Sequence, residues 1–142
     1  MDVEITQHNS DGYKALVHYG DWRVAILNKN EQATVEGLSY LEGHMETDEV
    51  FVLLDGEAVL LTAGSGDSPE EALRALKMEK NKLFNVKKAV WHAVLMSKDA
   101  KILIVEDRDT APENTRYSDI TDSQKSQIAE IRKQFLNTIK TF

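Results

Sequence analysis

The chain has 142 residues, 42% of them hydrophobic, which suits a single domain burying roughly two thirds of the surface its unfolded form exposes. A formal net charge of -7 argues against a nucleic-acid partner held by phosphate contacts and against an anionic membrane surface. With no cysteine, disulfides, thiolate metal sites and cysteine nucleophiles are excluded, so any metal must sit on nitrogen and oxygen.

The N-terminus, Met1-Asp2-Val3-Glu4-Ile5, lacks the basic and apolar regions of a signal peptide, and no apolar run approaches the roughly 18 residues of a membrane span. The expectation is a soluble, cytoplasmic protein. Short β-prone pieces follow at Val3 to Thr6, Tyr13 to Tyr19 and Trp22 to Leu27, separated by the turn residues Asn9 to Gly12 and Gly20-Asp21. His8 stands beside a loop and reads as solvated; His18 reads as a hydrogen-bonded structural histidine rather than a cavity group. After the polar turn Asn28 to Gln32, Ala33 to Leu41 again reads as extended.

Val50 to Leu54 is an almost continuous apolar run. Asp55-Gly56-Glu57 then predicts a hairpin returning through Ala58 to Ala63. Ser68-Pro69-Glu70-Glu71 has the makings of a helix start, with a serine cap, a proline in the first turn and acids near the positive end of the dipole, so a short helix through about Leu76 is expected. Leu76 to Lys80 alternates and is compatible with strand. Lys82 to Val86, Val90 to Met96 and Lys101 to Glu106 complete eight to ten short strands. That spacing predicts an all-β fold, a sandwich or barrel, over residues 1–107.

Residues 108–120 are polar, contain Pro112, and read as an exposed connector. Residues 121–142 read as an amphipathic helix of the same domain, opened by a Thr121/Gln124 capping box and striped by Ile128, Ile131, Phe135, Ile139 and Phe142. The stripe must be covered, by the outside of the barrel or in a homodimer contact.

The chemistry concentrates between Gly37 and Gly56 and at Trp91-His92. Alternate residues of a strand share a face, so Tyr40, Glu42 and His44 point one way, as do Glu49, Phe51 and Leu53 on the next strand, with Thr47-Asp48 supplying the bend between them. Two carboxylates confined away from water repel unless a cation balances them. A divalent ion among two carboxylates and two neutral imidazoles leaves no net charge.

The run Glu42-x-His44-x(4)-Glu49-x(6)-Gly56 resembles the first motif of the cupin superfamily, His-x-His-x(3,4)-Glu-x(6)-Gly, with glutamate in place of the first histidine. Trp91-His92 resembles the second motif, of which only His92 survives: the expected glycine, proline, glycine and asparagine positions hold Asn81, Lys87, Ala89 and Met96. Upstream, Glu36 stands at the expected glycine position and Gly37 one place later. The resemblance, over about two thirds of the chain, implies a jelly-roll β-barrel with a metal inside, held by His44, Glu49 and His92 at the matching positions. Glu42 takes the fourth place as ligand, or stays off the metal as a general base.

A carboxylate in place of a nitrogen hardens such a site and favours manganese, iron(II), nickel or zinc over copper. Glu46 reads as a solvated rim residue, and Lys88 as a solvated lysine near the mouth. Tyr40, Phe51, Trp91 and Met96 read first as apolar barrel packing, with Tyr40, Phe51 and Met96 the candidates for a substrate pocket. The implied function is to bind or act on a small oxygen-rich metabolite, a sugar or a keto or hydroxy acid, with isomerisation, epimerisation or dioxygenation all compatible; the alternative is a binding module without turnover.

Overall fold

A computed structural model describes residues 2–135. Among these residues ten strands and one α-helix follow in the order β1 (Tyr13–Tyr19), β2 (Trp22–Asn28), β3 (Tyr40–His44), β4 (Glu49–Asp55), β5 (Ala58–Ser65), β6 (Arg74–Lys77), β7 (Phe84–Val86), β8 (Val90–Met96), β9 (Lys101–Asp107), β10 (Thr115–Asp119) and α1 (Asp122–Phe135). They form two antiparallel sheets, β1-β2-β9-β4-β7 and β10-β3-β8-β5-β6. The predicted jelly-roll β-barrel is the fold observed.

Alternation along the strands divides the apolar residues between two clusters. Leu27, Phe51, Leu53, Leu60, Met96, Ile102 and Ile104 meet between the sheets. Val59, Leu61, Trp91 and Leu95, on the opposite face of β5 and β8, are covered by Ile128 and Ile131 of α1. The helix therefore packs outside the barrel. Its capping box is formed: Gln124 N–H donates to Thr121 Oγ1 at 3.1 Å, and Thr121 N–H to Gln124 Oε1 at 3.0 Å. Ile139 and Phe142 of the expected stripe lie outside the described residues.

Several local expectations are corrected. Asp55-Gly56-Glu57 is not a hairpin within one sheet: β4 is flanked by β9 and β7, so the chain crosses to the other sheet, where β5 lies between β8 and β6. Gly56 makes that crossing with φ +69, at a point where a Cβ would stand 2.5 Å from Ala100 Cα. No helix forms after Ser68, because its backbone groups are satisfied elsewhere. Glu70 N–H donates to Ala63 O, Leu73 N–H to Gln127 Oε1, and the Gln124 and Gln127 amides donate to Glu70 O and Glu71 O.

Val3 to Thr6 joins no sheet, and Val3 and Ile5 are 64% and 86% exposed. Ala33 to Leu41 is extended only from Tyr40. Before it, Asn30 Oδ1 accepts from Ala33 N–H and Thr34 Oγ1 from Gly37 N–H, local bonds that compete with a ladder. The expected connector 108–120 contains β10, which pairs with β3 from Thr115↔His44 to Asp119↔Tyr40 and widens the second sheet by one edge strand.

Candidate metal centre

Register places the site. Glu42 on β3 is paired with His92 on β8 on one side and with Tyr117 on β10 on the other, while His44 is paired with Thr115. From the facing sheet, Glu49 begins β4 and Glu106 stands one residue before the end of β9; the Val50↔Val105 pair sets them side by side. These groups line a cavity of about 550 Å3 between the sheets.

Four donors converge there. Glu49 Oε1 lies 3.0 Å from His92 Nε2 and 3.1 Å from His44 Nε2; Glu42 Oε1 lies 3.7 Å from His44 Nε2 and 4.0 Å from His92 Nε2. An ion about 2.1 Å from each donor sets neighbouring donors roughly 3.0–3.4 Å apart, so the Glu49 contacts match and Glu42 sits slightly outside. Glu42 is also the most exposed of the four, its side chain 34% accessible.

The outer nitrogens decide what the inner ones carry. Thr115 Oγ1 donates to Ala111 O at 2.8 Å, so at 3.0 Å it accepts from His44 Nδ1–H. His92 Nδ1 faces Val90 O at 2.9 Å, and a carbonyl only accepts. Both neutral imidazoles therefore aim an Nε2 lone pair at one carboxylate oxygen. That arrangement is repulsive unless positive charge stands between them, as two protons or as one divalent ion. His92 Nε2 is within hydrogen-bond geometry of Glu49 Oε1, whereas His44 Nε2, 3.1 Å from the same oxygen, is buried without a hydrogen bond, an orphaned position that an ion would satisfy. The donor set fits a divalent ion, with Thr115 and Val90 O orienting the rings.

The electrostatics agree. Burial lowers the proton affinity of His44 and of His92, but the Glu49 carboxylate outweighs it and raises both above the ordinary histidine value. Burial likewise disfavours ionised Glu49, yet the two imidazoles hold its carboxyl well below the usual range. Glu42 is raised, first by burial. Glu106 is pushed up to about 6 by burial and by the neighbouring Glu49. It accepts from Tyr13 Oη at 2.6 Å and from Arg23 Nη2 at 3.1 Å.

Tyr40 and Phe51 line the cavity; Met96 does not, being 1% exposed and packed into the apolar cluster. Trp91 faces away from the cavity, its Nε1–H donating to Gly66 O. Glu46 and Lys88 are exposed. His18 is exposed rather than structurally bonded, and half-buried His8 engages Gly12 O at 3.0 Å instead of standing free in solvent.

Glu106, Tyr13, Arg23, Thr115 and Tyr117 are cavity residues that the sequence reading misses. Glu106 carries a usable signal, because it shares a face with Ile102 and Ile104 at the end of an apolar strand. Thr115 and Tyr117 carry almost none, since β10 is polar and only its pairing makes it strand.

No protein-family model and no curated protein matches the chain. Solved structures do. Pac13, a nucleoside dehydratase from Streptomyces, superposes with a TM-score of 0.54 at 8% identity, over 82% of this chain and 86% of its own. CapF superposes with a TM-score of 0.53 at 13% identity, over 79% of this chain and only 33% of its own. A cupin-2 domain protein of Shewanella frigidimarina reaches a TM-score of 0.48 at 21% identity, over 73% of this chain and 85% of its own. At such identities the likeness to Pac13 and CapF, with TM-scores above 0.5, speaks for the fold alone.

The backbone adds to it at the second motif. Asn81 and Ala89, standing where that motif has glycine, hold left-handed conformations with φ +70 and +66. The chain has a jelly-roll β-barrel fold like that of Pac13, with Glu42, His44, Glu49 and His92 gathered in its interior.

Proposed function

We propose that the protein binds a divalent ion of the manganese, iron, nickel or zinc group through His44, Glu49 and His92, with Glu42 as the outermost donor, and uses it to take up a small oxygen-rich metabolite. The observation that carries this reading is the pair of Nε2 atoms, both oriented from behind, at 3.0 and 3.1 Å from one Glu49 oxygen. When bound, such an ion supplies Lewis-acid or oxygen-activating chemistry.

The protein's own residues supply the rest. Thr115 and the Val90 carbonyl hold the rings in the tautomer that presents Nε2. Phe51 and Ile104 limit water beneath the site. Glu42, partly open to the cavity and with its carboxyl raised by burial, is the group placed to exchange a proton with a bound ligand. Small-molecule neighbours such as the dehydratase Pac13 support a cavity used for metabolites.

Chelation is the first test. Dialysis against a chelator is expected to lower the melting temperature, and one of the four ions to restore it, since an ion at a hundred times its dissociation constant adds about 2.7 kcal/mol. A melting curve insensitive to chelator and to all four ions removes the metal reading. If the ion is confirmed, a turnover screen over sugars and hydroxy acids, run beside thermal-shift binding, divides a catalyst from a binding module.

A further inference from the structure

We infer that the ligand of this cavity is an uncharged sugar rather than a carboxylate or phosphate ester. The inference rests on the proposed ion and narrows what it would meet. Two carboxylates, Glu42 and Glu49, stand at the donor cluster beside two imidazoles, so a divalent ion there is balanced with no positive charge left over.

Among the described residues of the lining, Arg23 is the one lysine or arginine side chain, and it is committed. Its Nε and Nη2 donate to Glu106 Oε1 at 3.3 and 3.1 Å, Nη2 also to Thr110 O at 2.9 Å, and Nη1 to Arg108 O at 3.2 Å. That uses four of five N–H groups and neutralises Glu106. An anionic ligand would enter a partly enclosed cavity that holds Glu42, Glu49 and Glu106 and, among the described residues, no uncommitted lysine or arginine to meet it. A cationic ligand gains little from a site the ion has already balanced.

An uncharged ring is matched by what remains. Tyr117 lies directly across the β3–β10 ladder from Glu42, and its ring meets that of Tyr40 edge to face, centroids 5.1 Å apart at 89°. Tyr117 is 49% exposed, so the pair offers an open aromatic surface beside a carboxylate. Aromatic rings pack against the C–H faces of sugars, while Glu42 accepts from a hydroxyl.

Calorimetric titration of the metal-loaded protein with matched sets of hexoses and pentoses tests this, each set comprising the neutral sugar, its uronic acid, its phosphate and its amino sugar. In at least one set the neutral form is expected to bind about tenfold more tightly than the charged forms. Tyr117→Ala should weaken that binding about tenfold with metal content unchanged, and Tyr117→Phe should retain it.

Tighter binding of an acid, a phosphate or an amine, no binding by any neutral sugar, or an unaltered affinity in Tyr117→Ala overturns the inference. Metal content, measured on the same samples, separates the two claims. Protein that carries its ion yet prefers anions keeps the metal site and loses the ligand class; protein that carries no ion loses both.

Discussion

The two ends of the barrel interior are built from the same strands and do opposite things. Inward residues of β4 run Glu49, Phe51, Leu53; those of β8 run His92, Val94, Met96; those of β9 run Glu106, Ile104, Ile102. One end is closed by apolar side chains that release water and hold the sheets together. The other gathers ionisable groups whose confinement costs free energy unless each finds a partner. The lesson is that the apolar end supplies the stability that lets the polar end exist, so damage to one should be separable from damage to the other.

The largest effect is expected at the apolar end. Ile102, fully buried between β2 and β4, should cost about 2–5 kcal/mol when changed to alanine. Chemical denaturation checks this, and the folded fraction should still take up metal. Loss of metal at equal foldedness would show that the two ends are not independent.

At the polar end, Thr115→Val removes the acceptor for His44 Nδ1 while keeping a β-branched strand residue. A drop of about 10–100-fold in metal affinity is expected, with unfolding free energy of the metal-free protein little changed and Thr115→Ser near wild type. Competition titration against a chromophoric chelator reads it.

A smaller effect, of opposite sign, is predicted beside the site. Ala89 holds φ +66 while its N–H donates to His44 O at 2.9 Å. Relieving the left-handed strain by Ala89→Gly should stabilise the fold by about 1 kcal/mol, measured by urea unfolding.

The smallest effect lies at the rim. Asp48 accepts from Lys88 N–H at 2.8 Å and from Asn85 Nδ2 at 3.1 Å, and the Lys88 amide is the main reason its carboxyl sits below the ordinary 3.8. Asp48→Ala should cost at most about 1 kcal/mol. Because the folded value is the lower one, the deficit is full above pH 3.8 and closes as pH falls through the folded value. A deficit that grows on acidification would contradict the assignment.

Legibility in the sequence followed the same division. Strands β4, β5, β8 and β9 are short apolar runs, so their existence is readable, and with β4 and β8 come Glu49 and His92; His44 follows from its spacing to Glu42 and Glu49. What escaped depends on partners remote in sequence. The polar run Thr115–Asp119 becomes a strand only because β3 offers a ladder, and Thr115 gains its role only from that register. The segment after Ser68 carries helix-start signals that lose to the Gln124 and Gln127 side chains, more than fifty residues away. Asp-Gly at 55 and 56 marks a turn correctly, while the choice of sheet on its far side is made by β8 and β6. Met96 has the right parity for the interior but lies too far along β8 for the cavity.

Elemental analysis of the protein purified without added metal reads the site most directly, beside His44→Ala and His92→Ala. The wild-type chain should carry close to one divalent ion per molecule, and each variant, folded by circular dichroism, should carry little or none. A wild-type protein free of bound metal after exposure to manganese, iron(II), nickel and zinc, or variants that retain as much as the wild type, would contradict it.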